Sequence, residues 1–90
     1  MYNYTISNNI HRFLSKISKK DKTMYNKILK KINEIVNSKD ISHYKNLKYD
    51  MKDSKRVHIG HFVLIFQYNK NSNTIDFDII EHHDMAYKKK

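Results

Sequence analysis

Hydrophobic and polar positions change rhythm along the chain. Between residues 2 and 6 they alternate, with Tyr2, Tyr4 and Ile6 on one side and Asn3 and Thr5 on the other. Period two marks a half-buried strand. Ser7, Asn8 and Asn9 then offer capping side chains. From Ile10 the spacing turns helical: Ile10, Phe13, Leu14 and Ile17 fall at i, i+3, i+4 and i+7 and form one apolar face. Ser18 to Asp21 reads as a short break, with Asp21 able to cap a second helix. Met24, Ile28, Ile32, Ile35 and Val36 carry that helix to about Lys39, and Tyr25 and Leu29 widen its stripe. So short a break predicts an antiparallel helix hairpin.

Residues 40–54 show weak periodicity and read as a loop, with a short extended piece around Leu47. Alternation returns at Arg56-Val57-His58-Ile59. Gly60-His61 fits a two-residue hairpin turn with glycine first. Phe62 to Tyr68 is an unbroken apolar run of β-formers, as expected of a central strand covered on both faces. Asn69 to Asn73 is a polar turn. Thr74 to Glu81 is a further strand with Ile75, Phe77 and Ile79 assigned to one face, and His82 to Tyr87 closes as a loop or single helical turn. The expected order is β-α-α-β-β-β in one α+β domain spanning 1–90. It predicts a twisted, mainly antiparallel sheet: a meander of the last three strands, joined by the first, with the helix hairpin on one face.

Composition narrows the function. The 90 residues include no cysteine and a single glycine. That excludes a disulfide scaffold, a thiolate zinc site and glycine-rich phosphate loops. Hydrophobic residues at 39% fit a compact globule. No apolar run reaches the ~20 residues that span a bilayer. The start MYNYTISNNI has neither a basic region nor an apolar signal core, so a cytoplasmic protein is expected. The formal charge is +9, and residues 12–39 hold nine cations against two acids, Asp21 and Glu34. Such a surface suits a polyanion: nucleic acid, a ribosome, an anionic membrane or an acidic protein. It is also what a solvated, lysine-rich surface looks like.

Strand parity brings candidate chemistry together. If Val57 and Ile59 face the helices, Arg56 and His58 share the opposite face. A turn at Gly60-His61 sets Ile59 opposite Phe62, Val57 opposite Leu64, His58 opposite Val63 and Arg56 opposite Ile65. The last strand delivers His82 and His83 to the rim of the sheet, and Tyr87 follows. These are the parts that RNA cleavage needs: a base for the ribose 2′-OH, cations for the phosphate, and an acid for the leaving 5′ oxygen. Each also has a plain structural use, as a solvated arginine, an outward histidine or a tyrosine packed on the sheet edge. No HExxH or comparable spacing exists, and adjacent histidines in a strand point to opposite faces, so no metal site is read here.

Two stretches carry a family likeness. Leu47-Lys48 and Lys55-Arg56-Val57-His58-Ile59-Gly60-His61-Phe62-Val63-Leu64-Ile65-Phe66, followed by Ile79-Ile80-Glu81-His82-His83-Asp84-Met85-Ala86-Tyr87, resemble the RelE toxins of the RelE/ParE superfamily. The element order matches over essentially the whole chain. The resemblance implies a RelE-like, microbial-RNase-type fold and the toxin of a type II toxin–antitoxin pair. Such a toxin enters the ribosomal A site and cuts mRNA by 2′-OH attack, leaving a 2′,3′-cyclic phosphate, with neither metal nor cofactor. A RelB-like antitoxin would wrap it, often in a two-plus-two heterotetramer. By the same likeness Arg56 grips phosphate and His58 holds a second catalytic position. His83 serves leaving-group or base chemistry, and Tyr87 orients the 2′-OH. Lys48, Lys52, Lys55 and His82 would contact RNA. Many RelE toxins carry an arginine where this chain has Val63, so a histidine-based reaction is expected, with His58 and His83 as acid and base. Two other readings share the likeness: a ParE-like toxin that binds DNA gyrase, and an RNA- or ribosome-binding module with weakened catalysis. Arg56, His58, His83 and Tyr87 together favour the nuclease.

Overall fold

Each helix begins where the sequence supplies a cap. In a computed structural model, which describes residues 1–41, 44 and 54–83, the Ser7 hydroxyl accepts from the Ile10 amide at the start of α1 (Asn8–Lys20). The Asp21 carboxylate accepts from the Met24 amide at the start of α2 (Lys22–Val36). Both satisfy an orphan donor of a first helical turn. The break expected at 18–20 is instead the last turn of α1. Lys19 and Lys20 sit there against the negative end of the helix dipole. Asp21 alone forms the junction, donating its amide to Ile17. The second helix ends at Val36 rather than Lys39, because the Asn37 side chain bonds the Asn33 carbonyl and takes over its last turn.

Four strands, β1 (Asn3–Ile6), β2 (Ser54–Ile59), β3 (Phe62–Asn69) and β4 (Thr74–His82), form one sheet in the order β1-β4-β3-β2. β1 runs parallel to β4, and the other pairs are antiparallel. The register of β2 on β3 is the one that the turn predicts: Ile59 faces Phe62, His58 faces Val63, Val57 faces Leu64 and Arg56 faces Ile65. Gly60 has φ +62°, while His61 is not among the positive-φ residues, the signature of a turn with glycine first. A side chain at Gly60 would cost about 1–2 kcal/mol for that backbone alone. Its Cβ would also lie 2.6 Å from Cε of Met24, a flexible end that can swing away.

The core lies between the helices and one face of the sheet. Ile10, Ile28, Ile32, Ile35 and Val36 meet Ile59, Leu64, Phe66, Ile75, Phe77 and Ile80. α1 lies against β4 and α2 against β2. Val63 and Ile65 point to the other face yet are also buried, as the unbroken apolar run of β3 predicts. Two stripe residues fall outside the core: Tyr4, on the sheet edge, is 51% exposed, and Leu29 is 39% exposed. The proposed extended piece around Leu47 lies outside the described residues. Among those described, no helix is long and apolar enough to cross a membrane.

One expectation fails in an instructive way. Ile79 does not share a face with Ile75 and Phe77. β4 carries a bulge: Phe77 pairs with Phe66, but Ile79 pairs with Ile65, so Asp78 is the extra residue. Beyond it the parity of the strand is reversed. Ile80 joins the core opposite Leu64, and Ile79 turns to the open face beside Ile65.

Candidate nucleic-acid interface

The open face at the turn end of the sheet holds the candidate chemistry. His58 is exposed on β2, and Arg56 lies two residues earlier on the same face, about 7 Å along the strand. The reversed parity of β4 brings His83 to that face too. Its amide donates to the His61 carbonyl at 2.8 Å, which ties the end of β4 to the β2–β3 turn. The His58 and His83 rings stand 5.0 Å apart between centroids, tilted by 37°. Both imidazoles are therefore within reach of a single phosphodiester. Val63 forms the floor between His58 and Glu81, its partners in the neighbouring strands. β3 adds no cation here, since its open-face residues are Val63, Ile65, Gln67 and Asn69.

His58 is pushed below the usual histidine range. Burial of the ring is the first cause, and the nearby charges of His83 and Arg56 act in the same direction. The neutral imidazole is therefore the favoured form at neutral pH. By NMR, His58 is expected to titrate below about 6.5. The midpoint should rise part of the way back in His83→Ala, with burial and Arg56 still holding it down. The linkage sign follows from the depressed value. The unfolded chain takes up this proton near ~6.5 while the folded chain resists it, so stability is full above that pH. It declines as pH falls from there towards the folded midpoint. In urea titrations His58→Gln should remove that part of the slope; an unchanged slope would assign it to other groups.

His82 takes the opposite side of the strand. It stacks parallel to His61 at 6.2 Å and meets the edge of Phe62 at 5.9 Å. Lys55 also lies on the helix side, in register with Phe66, and its Nζ donates to the Tyr44 carbonyl at 3.3 Å. The structure thus unites Arg56, His58 and His83 and separates Lys55 and His82 from them. Lys48, Lys52 and Tyr87 lie outside the described residues. Among the described residues, no group of three histidine, aspartate or glutamate side chains is placed to hold a metal ion. Sequence reasoning missed Glu81 on the open face and the bulge that puts it there. The doublet Ile79-Ile80, which breaks an alternation running from Ile75, was the available signal.

The fold and relatives of the chain agree. It is similar to the toxin of the intact RelBE toxin–antitoxin complex of E. coli (TM-score 0.73, 17% identity, 91% of this chain and 96% of that one). YafQ of E. coli superposes equally well (TM-score 0.73, 14% identity, 97% and 99%). The archaeal RelE–RelB complex of Pyrococcus horikoshii gives a TM-score of 0.69 at 15% identity, over 90% and 93%. These likenesses define a RelE-like α+β toxin fold. No family model matches the sequence. A Methanocaldococcus jannaschii protein provisionally named toxin RelE4 is 44% identical over 91 aligned positions, covering all of this chain and 95% of its own. An uncharacterized protein of Methanosarcina mazei is 38% identical over 88, covering 97% of this chain and all of its own. The chain belongs to the RelE toxin family.

Proposed function

We propose that the chain is the toxin of a type II toxin–antitoxin system and cuts mRNA on the ribosome by metal-independent 2′-OH attack. The observation that carries this reading is the His58–His83 pair, 5.0 Å apart beside Arg56 on an open sheet face. Burial and the neighbouring charges push His58 towards its neutral form, which suits it as the base, and His83 is assigned as the acid. His58 accepts the 2′-OH proton as the 2′ oxygen bonds to phosphorus. His83 donates a proton to the 5′ oxygen as the P–O5′ bond breaks. The products are a 2′,3′-cyclic phosphate and a free 5′-OH. Arg56 faces the charge that gathers on the phosphoryl oxygens. Tyr87 is assigned to orienting the 2′-OH, and Lys48 and Lys52 to the RNA backbone.

The exposed cations of the two helices, among them Arg12, Lys16, Lys19, Lys27 and Lys30, form a cationic surface suited to docking on ribosomal RNA. The reaction places the protein in the cytoplasm, and a RelB-like antitoxin is its expected partner. Induction of the chain followed by primer extension on cellular mRNA tests the reading. The expected result is cuts in codon register that disappear in His83→Ala. Intact mRNA with blocked DNA supercoiling would overturn it for the gyrase-binding alternative. Intact mRNA with arrested translation would leave a ribosome-binding module.

A further inference from the structure

The placement of His83 depends on one residue of phase. With Ile75 and Phe77 in the core, uninterrupted alternation would send residues 79, 81 and 83 to the core side and turn His82 outward. The extra residue at Asp78 reverses this and sets Ile79, Glu81 and His83 on the open face. A bulge leaves backbone groups without strand partners and bends the strand locally. Here β1 has already ended at Ile6, so the edge of β4 beyond it meets the start of α1. The Ser7 amide donates to the Phe77 carbonyl at 3.0 Å, and the Ser7 hydroxyl donates to the carbonyl of Asp78 itself. The Asn9 side-chain oxygen accepts from the Ile80 amide at 3.2 Å. Two side chains at one helix N-terminus thus hold the bulge residue and the first core residue after it.

We propose that Ser7 and Asn9 are positioning residues for the histidine pair, acting through the bulge at Asp78. The functional part of this rests on the nuclease reading above; the geometric part does not. Ser7 does two jobs with one hydroxyl: it caps α1 as an acceptor and holds the bulge as a donor. Aspartate separates them, because it caps well but has no proton to donate. Asn9 acts on Ile80 as an acceptor, so Asn9→Asp keeps the bond and Asn9→Ala removes it.

The test compares Ser7→Asp and Asn9→Ala with Ser7→Thr and Asn9→Asp in the full chain. It reads ring-to-ring NOEs between His58 and His83, the His58 titration, and cleavage of mRNA. The charged and titratable groups facing His58 are Arg56 from β2, Glu81 from β4 and His83; the last two lie beyond the bulge and should move together, and of these His83 is the one whose charge acts on His58. Ser7→Asp and Asn9→Ala are expected to weaken the NOEs, raise the His58 midpoint and slow cleavage by about 10–100-fold, the usual cost of misplacing a reacting group by around 1 Å. Ser7→Thr and Asn9→Asp should behave as the parent. Unchanged NOEs and titration in the first pair would overturn the proposal, as would an equal loss in the second. If Ser7→Asp fails to fold, Asn9→Ala decides alone. If the parent chain cuts no RNA, the nuclease reading falls, while the NOEs and titration still decide whether Ser7 and Asn9 place His83.

Discussion

His58→Ala is expected to lower the rate of mRNA cleavage by about 10²–10⁴-fold, the range that a positioned acid or base contributes. The fold should hardly notice. His58 is exposed on an edge strand, and its truncation leaves Val63 and the helix-side core in place. Surface substitutions of this kind usually stay within about 0.5 kcal/mol. His83→Ala should cost a similar factor in rate, because base and acid act in the same displacement. The double variant should be only slightly worse than either single one, since residues that work as a unit are strongly non-additive. Single-turnover cleavage of ribosome-bound message checks this, with thermal melts alongside. Two independent losses that multiply would mean that the rings do not share one reaction. A His58→Ala chain that cuts as fast as the parent would remove His58 from the chemistry.

The sequence made the turn-side half of this site legible for a simple reason. A two-residue turn with one glycine fixes the register, and the register fixes the faces, so Arg56 and His58 follow from parity alone. The β4 side was harder to read. Periodicity assumes an unbroken strand, and Asp78 breaks it. Desolvation and the neighbouring Asp76 raise the pKa of Asp78, while a Gln67 hydrogen bond acts against them. That is an unfavourable place for a charged carboxylate, and the only local sign of it is the doublet Ile79-Ile80 that interrupts the alternation. The groups that hold the bulge, Ser7 and Asn9, lie 71 residues away in sequence from those they hold. Local propensity marked them only as helix caps. Likewise Lys55 reads as one more cation beside Arg56, and only strand parity combined with the Tyr44 carbonyl shows that it faces the other way.

Phe66→Ala should be the most damaging single change to stability, at about 3–5 kcal/mol. Phe66 is fully buried in the middle of β3. Its ring meets Phe77 at 5.6 Å and the edge of Tyr44 at 5.7 Å, so it joins the sheet to the segment that follows α2. Its pairing with Phe77 is the last regular one before the bulge. For a chain of this length total stability is about 5–13 kcal/mol, so the loss takes a large share of it. The melting temperature should fall by roughly 12 °C or more. Phe66→Leu keeps most of the apolar area and should lose clearly less. Leu29→Ala, on the exposed side of α2, should stay within about 0.5 kcal/mol. Urea unfolding of the three variants ranks them directly. A loss below about 1 kcal/mol in Phe66→Ala would mean that the two faces of the central strand, and with them the floor beneath His58 and His83, are not held by this ring.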